Sequence, residues 1–222
     1  MKKFLLSVLA AVFVFSLAAC AAVNSSEGET SSGSTKENQS ETKETAIYEA
    51  GVWSDNVYTN SSLGITFNLP EGWSYGKSEE LAALQSQGSE IAGTSEEEMD
   101  AVNDRMIYDF YIYSADGSEN VIMMAEDLSK YGDITAKQYI DIVSAQLTGL
   151  DSEAVSYEIS DTKEIKLGNS TFVTMAADAV YSGVNVHQYY AVTEMSGQLI
   201  TMIITAPAEN CDTFIDSIQA VK

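Results

Sequence analysis

The chain has 222 residues, and its 33 acidic side chains far outnumber its 11 basic ones, which gives a formal net charge of −22. Such an acidic surface repels phosphate backbones, so this balance excludes nucleic acid as a partner. It also excludes electrostatic adsorption to an anionic membrane surface, so any contact with a membrane must have another source. We expect the charge mainly to keep the protein soluble.

The amino terminus has the pattern of an export signal. Lys2 and Lys3 precede an apolar stretch over residues 4–17, and small residues lead directly into Cys20. This ending resembles the lipobox of bacterial lipoproteins. The resemblance implies that residues 1–19 are a signal peptide, and that the Cys20 thiol carries a diacylglyceryl group with palmitate-like chains. The alternative is an uncleaved signal anchor, because the apolar run approaches the roughly 20 residues that span a bilayer.

Residues 20–46 comprise the cysteine and a segment rich in Ser, Thr and Glu. So little apolar surface cannot offset the conformational entropy of an ordered chain, so we expect a disordered tether. A flexible coil of this length has a root-mean-square reach of about 28 Å. Lipid on Cys20 would therefore place the remaining chain near the extracytoplasmic face of the cell membrane.

Residues 47–222 are long enough for one globular domain. Apolar side chains at every second position of residues 63–69 predict a half-buried strand, and Pro70 and Gly72 then predict a turn before Trp73. Two helix starts follow, at Ser78 and at the capping-box pattern beginning with Ser95.

The rest of the domain alternates hairpin and helix signals. A hairpin is predicted across Asp116 and Gly117, and a helix over residues 135–150. Glycine-containing joints then separate four predicted strands, and a last helix follows Pro207. The strands are residues 155–167, 171–181, 186–195 and 198–206. Short joints favour antiparallel pairing, so the sequence predicts an α+β fold with a largely antiparallel sheet covered by helices.

This organisation resembles the PsbP-like superfamily, which is named after an extrinsic subunit of photosystem II and includes small bacterial lipoproteins. The resemblance rests on residues 63–73, the helix at 135–150, and the closing strands and helix at 155–218. It implies an α/β/α sandwich that serves as a binding or assembly module, and not an enzyme. Ligand positions of other members have no matching motif in this sequence, and none is carried over.

Residues with catalytic or ligating chemistry are few. His187 is the sole histidine and falls in a predicted strand, so a structural or surface role is favoured over catalysis. Cys211 lies on the apolar stripe of the last helix, which favours a buried position, and too few histidines and cysteines exist for a usual zinc site. We therefore predict no catalytic residue, no metal and no cofactor.

Three patterns leave alternatives open. Asp116, Ser118 and Asn120 could offer oxygen atoms to calcium, although a hairpin turn is favoured. The acids at residues 96–98 suit a helix start better than catalysis. Two carboxylates could serve an envelope hydrolase, but only their separation in space decides that.

Aromatic residues crowd two predicted strands, where core packing is favoured over an exposed binding face. They are Tyr108, Phe110, Tyr111, Tyr113, Tyr189 and Tyr190. The sequence thus favours a lipid-anchored extracytoplasmic module that binds an envelope or extracellular protein without catalysis. The alternatives are an envelope hydrolase with paired carboxylates and a small solute-binding receptor.

Overall fold

The structure is a computed structural model. It describes residues 47–77, 79–81, 83, 97, 100, 104–128, 134–149, 155–181 and 184–221. The predicted helix starts at Ser78 and Ser95 lie mostly outside these residues, as do Cys20 and the tether. No helix among the described residues is long and apolar enough to cross a membrane.

Two helices and twelve strands have both ends within the residues that the structure describes. The helices are α1 (Ala136–Gly149) and α2 (Ala208–Ser217). The first six strands are β1 (Val52–Ser54), β2 (Val57–Asn60), β3 (Ile65–Asn68), β4 (Ser74–Tyr75), β5 (Met106–Tyr113) and β6 (Asn120–Asp127). The other six are β7 (Val155–Ile159), β8 (Lys163–Leu167), β9 (Ser170–Tyr181), β10 (Val184–Met195), β11 (Gln198–Thr205) and β12 (Gln219–Ala220).

The strands form two antiparallel sheets. The larger has the order β4-β5-β6-β11-β10-β9-β7, and β8 also pairs with β9. The smaller has the order β1-β2-β3-β12. Every described pairing is antiparallel, which confirms the predicted sheet type.

Each face of the larger sheet has its own apolar core. Helix α1 covers one face with Tyr139, Ile140, Val143 and Leu147, as its sequence periodicity predicts. The other face packs against the smaller sheet and against Phe214 of α2. The predicted helical covering is therefore confirmed in part, because a second sheet and a helix share the second face.

The two sheets meet at a close backbone contact. Gly168, in the predicted turn between β8 and β9, has a φ of +56°, and the Asn169 N–H donates to the Leu63 carbonyl at 3.0 Å. A Cβ atom on Gly168 would lie 2.4 Å from the carbonyl oxygen of Gly64. Only glycine satisfies both this conformation and this approach.

Two details of the prediction are corrected by the structure. The strand predicted over residues 155–167 is two strands, β7 and β8, which pair with opposite ends of β9. The chain leaves the sheet after Ser160, whose N–H still donates to the Ala176 carbonyl at 2.9 Å, while its hydroxyl instead of its carbonyl accepts from the Ala176 N–H at 2.7 Å. The last helix is followed by a short strand, β12, that pairs with β3.

Candidate binding groove

A surface groove of about 530 Å³ lies at one end of the larger sheet. Three separate stretches of chain form it: the turn before β6, the paired ends of β9 and β10, and the corner between β11 and α2. They contribute Ser118 and Glu119, then residues 178–180 and 185–187, and finally residues 205–207. This volume falls within the range of small-molecule binding pockets.

A hydrogen-bonded pair of side chains lines the groove. His187 and Asp178 are direct cross-strand partners, and the His187 Nδ1 lies 2.8 Å from the Asp178 Oδ1. The imidazole is 17% exposed and the carboxylate is 67% exposed. The histidine, predicted to be structural or on the surface, is therefore half-buried in the wall of an open concavity. The pairing orients the ring and leaves the carboxylate open to solvent.

A second carboxylate stands on the opposite wall. The Glu119 Oε1 accepts a hydrogen bond of 2.8 Å from the Asn210 amide, in the first turn of α2. The positive end of a helix favours an acid at this place. Glu119 and Asp178 therefore give the groove a negative character without a lysine or arginine among its lining residues.

The loop next to Glu119 forms a tight turn. Asp116 accepts hydrogen bonds from the Ser118 hydroxyl at 2.7 Å and from the Ser114 hydroxyl at 2.9 Å. The bonds from Ser118 are the main reason that the pKa of Asp116 falls to about 2. Asn120 is buried in the sheet while Asp116 is exposed, so the three residues considered for calcium do not converge. Among the described residues, no group of three acids, histidines or cysteines could hold a metal ion.

A carboxylate within β5 joins the start of the domain to the larger sheet. Asp109 lies at a β-bulge and accepts hydrogen bonds from the hydroxyls of Tyr48 and Tyr58, the latter at 2.6 Å. The Asn60 amide donates to it at 3.2 Å and the Gly51 N–H at 3.0 Å. Burial and then the charge of Asp109 raise the pKa of both tyrosines, so both stay protonated as donors.

Another acid, Glu126, lies under α1. Glu126 is buried, its Oε1 lies 2.6 Å from the Arg105 Nε, and Tyr139 donates to its Oε2 at 3.2 Å. Burial is the largest cause of its raised pKa. A hydrolase would need such an acid beside an open cleft. Glu126 is instead only 2% exposed, so a sugar chain at the surface does not contact it in this structure.

The remaining candidates of the sequence have structural positions. Cys211 is 1% exposed, and its Sγ lies 3.5 Å from the Ala206 carbonyl oxygen. Tyr108, Tyr111 and Tyr113 pack on the α1 face, whereas Phe110 packs on the opposite face because of the bulge at Asp109. Of the acids at residues 96–98, only the exposed Glu97 is described.

Sequence reasoning identified His187 but missed its partner. A two-residue joint at 182–183 places Tyr181 opposite Val184. Counting three residues away from the joint along each strand then places His187 opposite Asp178. That register was available from the predicted hairpin. The sequence did not show that Glu119 and Pro207 line the same groove, since this depends on the folding of three distant segments.

The fold and groove define a class: an α+β domain with a largely antiparallel sheet and an open acidic groove at one end. Comparison with solved structures finds a PsbP protein among the similar chains, and the sequence resembles the same superfamily. The chain is similar to the cyanobacterial PsbP, CyanoP, of Synechocystis sp. PCC 6803, with 14% identity and a TM-score of 0.46 over 82% of this chain and 98% of that one.

Two further solved structures are similar to this chain. A protein of Bacteroides thetaiotaomicron is 14% identical, with a TM-score of 0.38 over 72% of this chain and 46% of that one. LpqN of Mycobacterium tuberculosis, described as involved in cell envelope biogenesis, is also 14% identical, with a TM-score of 0.34 over 69% and 76%. No family model matches the sequence, and no curated protein matches it. These distant likenesses concern the fold, and no activity is taken from them.

Proposed function

We propose that this protein is a lipid-anchored extracytoplasmic module that binds a partner in the groove without catalysing a reaction. The observation that carries the proposal is the groove itself, where polar groups from three segments converge on a volume of about 530 Å³. The leader and Cys20 supply the location. The acids in the groove supply a negative wall that suits a cationic partner.

The polar groups support binding better than hydrolysis. Glu119 and Asp178 are engaged with Asn210 and His187, and neither lies in an enclosed apolar setting. The carboxylates of Asp109 and Glu126 are also engaged, because Asp109 accepts hydrogen bonds from four groups and each oxygen of Glu126 has one donor. A general acid of a glycosidase instead needs an apolar setting next to the substrate.

Anchoring is tested by replacing Cys20 with alanine in the full chain and following labelled palmitate in cells of the source organism. We expect the wild-type protein to carry the label in the membrane fraction and the variant to lose it. Label that stays on the variant contradicts lipidation at this residue.

Binding at the groove is tested by placing the photo-crosslinking residue p-benzoylphenylalanine at Val180, which is 43% exposed and lines the groove. The matched control is Ile107, which is 38% exposed and pairs with Ala125, toward the opposite end of the same sheet. We expect a discrete adduct from position 180 and none from position 107. Equal labelling from both positions, or no adduct from position 180, rejects the groove as the binding site. An adduct with a small solute instead of a protein would favour the receptor alternative.

A further inference from the structure

One wall of the groove is an unpaired strand edge. Strand β10 begins at Val184, but its ladder with β11 begins only at Gln188, opposite Thr205. The last contact between the two is the Ala206 N–H donating to the His187 carbonyl at 3.3 Å. Among the residues that the structure describes, none continues the pairing of β10 on this side beyond His187.

The reason for the early ending is Pro207. This residue has a φ of −52° and a ψ of 144°, and it directs the chain out of the sheet and into α2. Proline also has no N–H for a ladder. β11 therefore ends earlier than its neighbour β10, which continues to Val184, and residues on both sides of this step line the groove.

The backbone groups on this edge have a defined direction. In an antiparallel ladder the N–H and C=O of alternate residues point to the same neighbour. Since the His187 carbonyl points toward β11, the N–H and C=O of Asn185, two residues earlier, point to the same side. Val184 and Val186 point theirs toward β9, where they are paired with Tyr181 and Ala179. Asn185 thus offers one donor and one acceptor to the groove.

The surroundings of this edge are unusual for a solvent-facing strand end. Natural edges are commonly protected by lysine, proline or a bulge. Here Asn185 stands between two valines, and Val180 and Val184 are among the most exposed apolar residues described, at 43% and 40%. Val180 is the direct cross-strand partner of Asn185. Val180 belongs to β9, on the far side of β10, whereas Val184 belongs to β10 itself, so an apolar side chain of an added strand that lies opposite Val184 would contact it.

We propose that an extended peptide segment of a partner protein, carrying lysine or arginine, adds to this edge as a strand. Its backbone would pair with Asn185, one apolar side chain would contact Val184 on the same strand, and its cationic side chains would face the carboxylates of Asp178 and Glu119. Strand addition of this kind obtains affinity from the main chain and specificity from alternate side chains. This inference rests on the proposed function and adds to it the chemistry and conformation of the partner.

Charge selects this occupant over a second copy of the chain. Two copies paired through this edge would bring their Asp178 and Glu119 carboxylates into one interface, and like charges there are costly. The sequence as a whole has three times as many acids as basic residues, so self-association gains no compensating cations.

The test uses a display library of random nonapeptides with the full-length protein in detergent micelles. We expect the selected peptides to alternate apolar and polar residues and to be rich in lysine or arginine. Asn185→Pro removes the edge N–H and should weaken binding about tenfold, whereas Asn185→Thr keeps that N–H and should bind as the wild type does. Asp178→Asn combined with Glu119→Gln should weaken binding about threefold, and less so in high salt.

A control on the peptide makes the test independent of how well the proline variant folds. In a bound peptide strand, the N–H groups of every second residue face Asn185. N-methylation of these peptide residues should abolish binding to the wild-type protein, and N-methylation of the other peptide residues should not. Equal tolerance at all positions, acidic selected peptides, or unchanged affinity in a folded Asn185→Pro variant overturns strand addition. A dimer in sedimentation that dissociates on Asn185→Pro would overturn it in favour of a second copy. If no peptide is selected while position 180 still gives an adduct, strand addition fails and the proposed binding function stands.

Discussion

Replacing Asp109 with alanine tests the hydrogen bonds that join residues 48–60, at the start of the domain, to β5 of the larger sheet. The carboxylate accepts hydrogen bonds from Tyr48, Tyr58, Asn60 and Gly51, and the alanine variant would leave all four donors without their acceptor. We therefore expect a loss of stability that begins at the amino-terminal end of the domain.

The magnitude follows from the number and kind of these bonds. A hydrogen bond to a charged group contributes about 1.5–3 kcal/mol, so a simple sum over four donors would give about 6–12 kcal/mol. That sum is too large, because Asp109 is only partly buried and water can reach some of the released donors. We expect a decrease of about 3–4 kcal/mol in the free energy of unfolding. Asp109→Asn keeps one acceptor oxygen but turns an amide toward the Gly51 N–H, and should cost about half as much.

The assay is urea unfolding followed by circular dichroism, with hydrogen exchange at the Gly51 amide as a local measure. Asp161→Ala is the matched control, because this acid is exposed and lies in the connection between β7 and β8. It should change stability by less than about 0.5 kcal/mol. A loss below about 1 kcal/mol for Asp109→Ala, with unchanged exchange at Gly51, refutes the reasoning.

Three further results are expected. Burial raises the pKa of Tyr58 above its ordinary value of 10, so the free energy of unfolding is retained below pH 10 and falls as the pH rises further. Above pH 10, Tyr58→Phe should reduce the slope of this free energy against pH, measured by urea unfolding, by about 1.4 kcal/mol per pH unit. An unchanged slope contradicts the protonated state of Tyr58. Burial also raises the pKa of the Cys211 thiol to about 12, so iodoacetamide should label it in urea but not in the native protein at pH 8, as measured by mass spectrometry. Gly168→Ala should cost about 2–4 kcal/mol in thermal or urea unfolding, because its Cβ would overlap backbone atoms at a positive φ. Its control is Gly149→Ala, which meets no atom within 4 Å in α1 and should be neutral or stabilising by up to about 1 kcal/mol; equal effects of the two changes contradict the steric argument.

The sequence was most informative where structure is local. The spacing of Tyr139, Ile140, Val143 and Leu147 predicted both α1 and its buried face, since a helical period alone decides which side chains share a face. The hairpin joints predicted antiparallel pairing, because two-residue connections are too short to join parallel strands.

Non-local features could not be predicted in this way. The bulge at Asp109 changes which face Phe110 occupies, and it depends on donors that lie about 50 residues earlier in the chain. The pairing of β12 with β3 also joins the two ends of the domain. The candidate groove depends on the same kind of contact, because Glu119 reaches Asn210 across 91 positions of sequence.

The chain enters the domain at the far end of β11 from the groove. The Tyr48 N–H donates to the Gln198 side chain at the start of this strand, and the groove begins at Thr205, where the strand ends, about 23 Å away at the usual rise per residue. If the protein is anchored and rotates about Tyr48, the groove lies at the end of β11 that is away from this pivot. If residues 20–46 form the proposed tether with a reach of about 28 Å, the groove could meet partners up to roughly 50 Å from the point of attachment, well beyond the headgroup layer.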